Sequence, residues 1–489
     1  MYETALLLGT MLSIAVFVVF ARAPSFSVFH PLFFYSAFHF LVFVIRPIFG
    51  QIYGYQLIYH LYEFRPDLSV RLTAYAVAQL GYLCFAFFAL RAGAVPWQFK
   101  RDAVIDAERR MLTPYFLIVV ATCGVIGTYS LARYYMLGID YYAGLVRDAA
   151  TGFSVNTYRN GYVQEAQLML IPIVATIAWL GRFRLVWFLP LGVFVLFRAG
   201  TGGRGPFIAA MCATALLYLH DRRHRLPPLR MWTAAAAAGL VFMAVGEDRG
   251  ATVRHVVGMT AERETVRATP NYKPLESMDL ANMEFLEYLV ETIPTKTGTY
   301  DYFLSNLQVF TEPVPRVWWP GKPIGAPIQL FSLFDYGYPI GMTYSLPGVG
   351  WYELGWAGVV IWCSLFGYLL GRIYTAYVQS DQSTIKTLSY MILLATMIVG
   401  FRDGLVLTLL KQNFMYQMPV LTWLAISRLY KLPRLDELRL RALSLARGYQ
   451  QRRGPDASDD SLVLSDHERR LPAPALRRRL ALKRLANGG

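Results

Sequence analysis

The sequence predicts an all-α polytopic integral membrane protein with about eleven transmembrane helices, within a range of about ten to fourteen. Of its 489 residues, 55% are hydrophobic and only 16% are charged, and long apolar runs recur along the chain. A soluble domain contains about 25% charged residues, whereas a membrane-spanning helix needs ~20 mostly apolar residues to cross a ~30 Å hydrocarbon core. The mean hydropathy of +0.36 agrees with a membrane-embedded bundle.

The apolar runs define the predicted spans and divide the chain into regions. The spans lie at residues 4–21, 28–48, 70–90, 112–133, 163–181, 185–199, 205–220, 231–246, 354–377, 385–400 and 404–427. The regions are an N-terminal bundle of about eight spans (1–246), a large loop (247–353), about three C-terminal spans (354–427) and a basic tail (428–489). The first run lacks a basic N-terminal segment and an Ala-x-Ala cleavage site, so we interpret it as a retained helix.

The distribution of lysine and arginine predicts the orientation of these spans. One alternating set of connections contains Arg22, Arg91, Lys100, Arg101, Arg109, Arg110, Arg182, Arg184, Arg222, Arg223, Arg225, Arg230, Arg372 and Lys386. The short connections of the other set contain only Arg65, Arg147, Arg159, Arg204 and Arg402. The positive-inside rule therefore places the first set and the tail in the cytoplasm, and the N-terminus and large loop outside. Within the tail, residues 434–453 are typical of a basic amphipathic helix on an anionic leaflet.

Two classes of partner are disfavoured by composition. The net charge of +15 is placed between apolar runs and in the tail, which argues against nucleic-acid binding. The four cysteines all fall inside apolar runs without metal-ligand spacing, and we expect neither a metal site nor disulfides. We therefore expect the lipid bilayer to be the main environment of the chain and predict no cofactor.

Two short outer turns contain charges close to the hydrocarbon. In AGTGGRGPF, Arg204 lies among glycines just before a helix that Pro206 can begin, an arrangement suited to binding a phosphate. The alternative is a tight turn whose arginine only reaches the membrane interface. In VGFRDGL, Arg402 and Asp403 either bind a ligand, or pair with each other, or cap the next helix.

The second half of the large loop combines cations with prolines and aromatic residues. In VPRVWWPGKP, Arg316 and Lys322 lie six residues apart in a proline-stiffened segment, which suits a pre-organised anion site. This half also contains aromatic residues that we expect either to stack on sugar rings or to form a membrane-interface belt: Trp318, Trp319, Tyr336, Tyr338 and Tyr344. Glu353 ends this loop in PGVGWYELGW, where it is either a general base or a first-turn glutamate that the helix dipole stabilises.

On these motifs the chain resembles the Wzy-type polymerases of bacterial O-antigen and exopolysaccharide repeat units. The resemblance rests on TGGRGPF, on PVPRVWWPGKP and on PGVGWYELGWAGVVI, which leads into a late span. The layout, with about a dozen spans, one large late outer loop and basic cytoplasmic connections, is also similar. The acid of PGVGWYELGW lies a few residues later than the glycine-adjacent acid that is common in the family.

The resemblance implies a membrane-embedded GT-C-type glycosyltransferase of the bacterial inner membrane, with its active site facing the periplasm. Its donor is a glycan on undecaprenyl diphosphate, and its acceptor is the non-reducing end of a lipid-linked unit, with no metal or cofactor. A chain-length regulator in the membrane is an implied partner. Arg204, Arg316, Lys322 and Arg402 are then candidates for binding the diphosphate. Glu353 is the first candidate for the base and Asp403 the second, and Arg159 and Glu165 are weaker site candidates.

Three other functions remain open at this point. An O-antigen ligase-like enzyme shares the donor but usually has a prominent loop histidine, and here the large loop contains only His255. A synthase that takes its sugar from a polyprenyl monophosphate is a second alternative. A flippase or transporter of lipid-linked oligosaccharide is a third, although the chain contains no internal repeat and its charges lie at the outer face rather than at mid-membrane depth.

Overall fold

The structure, a computed structural model, describes residues 1–100, 103–137, 161–200, 205–233, 273, 275–315, 318–323, 325–337 and 341–452. Within these ranges every regular element is helical and no strand occurs. Seven of the described helices are long and apolar enough to cross a membrane. The prediction of an all-helical, membrane-embedded protein is confirmed to that extent, while the number of spans and their orientation stay predictions.

The helices follow the predicted apolar runs. They are α1 (Tyr2–Arg22), α2 (Pro31–Tyr53), α3 (Leu57–Leu61), α4 (Leu68–Ala92), α5 (Ala103–Arg133), α6 (Tyr162–Leu180), α7 (Leu189–Gly200), α8 (Gly205–Arg222), α9 (Asn282–Thr292), α10 (Leu346–Gln379), α11 (Thr384–Asp403), α12 (Val406–Leu429) and α13 (Leu435–Arg452). Short helical turns lie at Leu185–Phe188, Met278–Leu280, Leu304–Leu307, Gln308–Thr311 and Leu333–Asp335. The helical path of α5 continues to Leu137.

Not every predicted span meets the length and hydropathy expected of a membrane-crossing helix. The helices that do are α1, α2, α4, α5, α6, α10 and α11. Helix α7 is short, and α12 contains the polar run Lys411–Asn413. The predicted spans at 185–199 and 404–427 are therefore helical, but whether they cross the membrane stays a prediction. The same holds for α8. The predicted span at 231–246 lies almost entirely outside the described residues.

Contacts at one end of the bundle join connections that were predicted to be cytoplasmic. The Arg109 guanidinium lies 2.8 Å from the Asp221 carboxylate, which links the start of α5 to the end of α8. The backbone N–H of Val28 donates to the carbonyl of Arg225 at 2.9 Å, and this bond links the α1–α2 turn to the segment after α8. Basic connections that are far apart in sequence therefore meet at a common end, as the charge pattern predicts.

The opposite end, called the outer end below, gathers the connections of the other set. The Arg71 guanidinium at the start of α4 stacks 4.0 Å from the ring centroid of Tyr2 at the start of α1. The backbone N–H of Ser345, before α10, donates to the carbonyl of Arg402 at the end of α11 at 2.8 Å. Connections of the second set thus contact one another at this end, and which end of the bundle faces the periplasm stays a prediction.

Helix α9 shows that part of the large loop belongs to the packed core. The sequence MEFLEYLVET predicts a helix, and the structure confirms it at Asn282–Thr292. Leu286 and Leu289 pack in the main core, while Phe285 and Tyr288 pack in a small cluster with residues of and after α3. Nearly every side chain of α9 is buried, because this helix is apolar on two faces and both faces have partners. The segment AERETVRA lies outside the described residues.

The tail is described up to residue 452. Its predicted amphipathic helix is confirmed as a helix at Leu435–Arg452, whereas residues 453–489 lie outside the described part. Helix α13 belongs to a unit separate from residues 1–432.

The close packing of α10 along α4 depends on glycines. A Cβ atom at Gly367 would lie 2.4 Å from the Phe85 carbonyl oxygen, and one at Gly371 would lie 2.8 Å from the Ala89 carbonyl oxygen. Such a spacing of two small residues four positions apart lets two helix backbones approach closely inside a membrane. These glycines therefore set the distance between the two helices that position the outer-end residues.

We expect Gly367→Ala to lower the free energy of unfolding by about 1–3 kcal/mol, because the added methyl group overpacks the α4–α10 contact. Gly192→Ala is the matched control, since no atom lies within 4 Å of a Cβ built there and alanine favours a helix interior. Unfolding of the purified variants in mixed detergent micelles measures both effects. Equal stability of the two variants would contradict the packing argument.

Candidate functional site

Glu353 lies at a break in α10. Leu354 and Gly355 leave the helical conformation, and Gly355 has φ +58, a value that glycine adopts without strain. The break leaves helical carbonyls without intrahelical partners. The N–H of Tyr302 donates to the carbonyl of Glu353 at 2.9 Å, and the N–H of Asp301 donates to that of Tyr352 at 3.2 Å. The break therefore couples Glu353 to the turn that begins at Asp301.

The carboxyl group of Glu353 is completely buried, with a fractional exposure of 0%. It accepts hydrogen bonds of 2.7 Å from the backbone N–H of Phe303 and 2.7 Å from the Asn306 side-chain amide. It also has a side-chain hydrogen bond with Asp301, whose exposure is 1%. Two buried acidic side chains therefore lie beside each other at this site.

Sequence reasoning singled out Glu353 but missed its partner Asp301. Asp301 accepts hydrogen bonds from the N–H of Ser305 at 2.8 Å and from the Tyr352 hydroxyl at 3.3 Å. The available signal was an acid between two tyrosines in an otherwise weakly charged stretch. In this conformation, Phe303 and Asn306 close off the Glu353 carboxyl group. A substrate hydroxyl therefore reaches it only if the turn moves.

Tyr344 connects this carboxyl pair to the end of α11. The negative groups that act on its hydroxyl include Asp403, Asp301 and Glu353, and its ring packs edge-on against Tyr352 with centroids 5.4 Å apart. Burial, followed by the charges of Asp403 and Asp301, raises the pKa of Tyr344 well above its ordinary value. Its hydroxyl consequently stays protonated and can donate a hydrogen bond to an oxygen acceptor.

Arg402 and Asp403 have different partners in the structure. The Arg402 guanidinium donates to the Asp279 carboxylate at 3.1 Å and remains partly exposed. The Asp403 side chain lies near that of Thr408 in the first turn of α12, and Gly404 ends α11 with φ +76. Arg402 therefore pairs with Asp279 and not with its neighbour Asp403, whereas Asp403 lies beside the helix that follows it.

Lys322 lies in a second cluster, which joins the large loop to α6 and α12. Its ammonium group donates to the carbonyls of Glu312 at 2.9 Å and Val314 at 3.2 Å, and it lies 3.5 Å from the Glu312 carboxylate. Lys411 of α12 lies 3.7 Å from Glu312 and 3.9 Å from Glu165. Lys322 thus holds the loop in this conformation, and Glu165 has a cation partner that sequence reasoning missed because Lys411 falls inside a predicted span.

The predicted sugar-stacking residues differ in exposure. Trp318 is 80% exposed and Trp319 is also exposed, so both rings are accessible. Tyr336 and Tyr344 are partly buried and pack against the core. Four predicted site residues lie outside the described residues: Arg159, Arg204, Arg316 and Tyr338.

A cavity elsewhere at the outer end contains charged residues that sequence reasoning did not weigh as a site. It has a volume of about 460 Å³ and is lined by residues from α1, α2, α4 and α9, among them Arg46, Arg71 and Glu287. Arg46 falls inside a predicted span and Arg71 at the start of another, and their glutamate partners lie more than 200 residues further along the chain. The apolar pattern therefore contained no signal that they meet.

Within the described residues, no group of three or more histidine, cysteine, aspartate or glutamate side chains is placed to hold a metal ion. The predicted independence of metals stays a prediction. No protein-family model, curated protein or solved structure matches this chain.

Proposed function

We propose that the protein is a membrane-embedded glycosyltransferase that polymerises oligosaccharide repeat units linked to undecaprenyl diphosphate. The supporting observation is the meeting of acids, a cation and a tyrosine from distant stretches of the chain at the outer end: Asp301, Tyr344, Glu353, Arg402 and Asp403. A transporter site would instead place its charges near mid-membrane depth. Charges gathered at one end suit chemistry on a substrate whose lipid lies in the bilayer and whose sugar lies outside it.

In the proposed reaction, a hydroxyl group at the non-reducing end of the acceptor attacks the anomeric carbon of the donor glycan. The new glycosidic C–O bond forms while the C–O bond to the diphosphate breaks. The hydroxyl proton passes to a carboxylate, and undecaprenyl diphosphate leaves with the bonding electron pair. Glu353 is the first candidate for this base and Asp403 the second.

The leaving diphosphate develops negative charge, which pre-organised cations stabilise. Arg402 is partly exposed at the outer end, and Lys411 lies beside the loop cluster, so both suit this role. Arg204, Arg316 and Lys322 remain proposed contributors. The exposed rings of Trp318 and Trp319 suit stacking against sugar rings. The proposed setting is the bacterial inner membrane with the outer end in the periplasm, where a chain-length regulator would be the partner.

We expect purified protein in nanodiscs to convert synthetic undecaprenyl-diphosphate-linked repeat units into a ladder of glycans, without nucleotide sugar or added metal. The energy for each step lies in the diphosphate linkage of the donor. Gel electrophoresis of the released glycans measures the ladder. Repeat units whose non-reducing-end hydroxyl is chemically blocked are the control and should give no extension. Survival of only single units from a substrate that another polymerase extends would contradict the proposal.

A further inference from the structure

The cavity at the outer end is enclosed by several elements that are distant in sequence. It has a volume of about 460 Å³, within the range of small-molecule binding sites, and it opens to solvent. Its charged and aromatic lining includes Tyr2, Arg46, Tyr59, Arg65, Arg71 and Glu287. A polar cavity of this size, rich in arginine and tyrosine, has the composition of a site for an anionic, hydroxyl-rich ligand.

One wall of the cavity contains a buried ion pair between Arg46 and Glu284. Arg46 is 1% exposed, and its guanidinium donates to both carboxylate oxygens of Glu284 at 2.8–3.0 Å. It also donates to the carbonyls of Leu275 and Ser277. A π-helical stretch, Phe40–Ile45, immediately precedes Arg46 in α2, and such turns are frequent beside functional residues. Arg46 and Glu284 therefore hold the cavity wall, and their charges cancel.

The other two arginines of the cavity, Arg65 and Arg71, have fewer or longer polar contacts than Arg46. Arg71 stacks on the Tyr2 ring, donates to the Gln51 side-chain oxygen at 3.3 Å and lies 3.5 Å from Glu287, and both distances are longer than the ~2.7–2.9 Å of a strong charged hydrogen bond. Among the described residues, no hydrogen bond or ion pair engages the exposed side chain of Arg65. Two guanidinium groups thus present donors to the cavity, opposed by the single carboxyl group of Glu287.

Glu287 itself carries a reduced negative charge near neutral pH. Burial raises the pKa of its carboxyl group to about 7. The Tyr59 hydroxyl donates to it at 2.7 Å. The other charged or titratable groups that face it are Arg71, Glu284 and Tyr2. With the Arg46–Glu284 pair neutral, the cavity holds a net positive charge on both sides of this pKa.

We propose that this cavity binds an oxyanion of the phosphate class on a sugar-bearing ligand, with Arg65 and Arg71 as the donors. Guanidinium groups bind phosphate oxygens with two parallel hydrogen bonds, which favours this class over a neutral sugar. The identification of this ligand as a diphosphate-linked sugar substrate rests on the proposed function. The inference that the cavity binds an oxyanion rests only on its own residues. The site is separate from the Asp301–Glu353 pair, and α9 contributes residues near both.

Inorganic pyrophosphate is the probe for the test, titrated by calorimetry into full-length protein in phosphatidylcholine nanodiscs. We expect Arg71→Gln to weaken binding about tenfold or more, because a charge-assisted hydrogen bond is lost. Arg65→Gln should also weaken binding. Because Arg65 is exposed, this variant should fold as the wild type does. The control Lys296→Gln removes an exposed outer-end cation outside the cavity and should leave binding unchanged. No pyrophosphate binding by the wild type, or equal binding by both arginine variants and the wild type, would overturn the inference.

A competition experiment identifies the source of the oxyanion. A soluble short-chain polyprenyl diphosphate sugar should displace pyrophosphate, whereas displacement by phosphatidylglycerol alone would make the ligand a bilayer head group and overturn the substrate assignment. Pyrophosphate binding without a glycan ladder would contradict the proposed function and leave the cavity site intact. An undiminished ladder in Arg65→Gln, despite lost binding, would separate the site from polymerisation.

The pH dependence of pyrophosphate binding tests whether the anion lies beside Glu287. Below pH 7 the carboxyl group is mostly protonated, and above pH 7 it becomes a carboxylate that repels the anion and competes for Arg71. The ratio of wild-type affinity to Glu287→Gln affinity should therefore fall several-fold between pH 6 and pH 8. Titration of pyrophosphate itself is common to both proteins and cancels in the ratio. A constant ratio would overturn the placement of the anion next to Glu287.

Discussion

Replacement of Arg46 by methionine is expected to lower the free energy of unfolding by about 3–5 kcal/mol, the loss typical of a buried ion pair with one partner removed. Glu284 would remain buried without its cation, and the carbonyls of Leu275 and Ser277 would lose a shared donor. Methionine keeps much of the volume, so lost electrostatic and hydrogen-bonding partners cause most of the effect. Unfolding in mixed detergent micelles measures it.

An exposed ion pair at the same end of the bundle is the matched control. Lys296 lies 2.7 Å from Glu291, and its side chain is 43% exposed, so Lys296→Met should cost at most about 1 kcal/mol. The double variant Arg46→Met with Glu284→Met should recover part of the loss, because no unpaired charge then stays buried. Equal losses for Arg46→Met and Lys296→Met would contradict the role assigned to burial.

Replacement of Glu353 by glutamine is expected to slow glycan extension by about 100-fold or more, the usual contribution of a general base. Glutamine keeps the shape of the side chain but cannot accept the proton of the acceptor hydroxyl. One of the two donors, Phe303 N–H or the Asn306 amide, would lose its acceptor, at a cost of about 1–3 kcal/mol in stability. The rate of ladder growth and the unfolding transition of the same preparation separate the two effects.

Two further variants distinguish a base from a residue that only holds the turn. Asn306→Ala removes one hydrogen bond between the turn and Glu353 but leaves the carboxyl groups of Glu353 and Asp301 in place, so extension should slow by less than about tenfold. Asp335→Asn changes an exposed acid of the same loop and should leave the rate unchanged. If Asn306→Ala slowed extension as much as Glu353→Gln, Glu353 would be a positioning residue and not the base.

Much of the helical architecture followed from local pattern. The apolar runs predicted α1, α2, α4, α10 and α11, and periodicity predicted the helix at MEFLEYLVET. The alternating charge of the connections predicted which loops share an end of the bundle. These features are local because a helix in hydrocarbon satisfies its own backbone hydrogen bonds, so about twenty consecutive residues decide whether it forms.

The partners at the candidate site could not be predicted in this way. Sequence reasoning weighed Arg402 against its neighbour Asp403, whereas the structure pairs it with Asp279, more than 100 residues away. It proposed Lys322 as a diphosphate ligand but did not predict that the Lys322 ammonium group donates to two loop carbonyls. Each of these side chains has several possible partners of suitable charge, and the choice among them depends on how the helices pack.

The sequence by itself determined that the protein is helical and membrane-embedded and where most helices lie, and it singled out Glu353 as a candidate site residue. Only the tertiary structure decided that Glu353 shares a hydrogen bond with Asp301 and that Arg46 meets Glu284 across 238 residues to wall a cavity. Burial of apolar area depends on composition along a short segment. A buried charge, in contrast, is stable only beside a specific partner, and three-dimensional packing determines which residue that is.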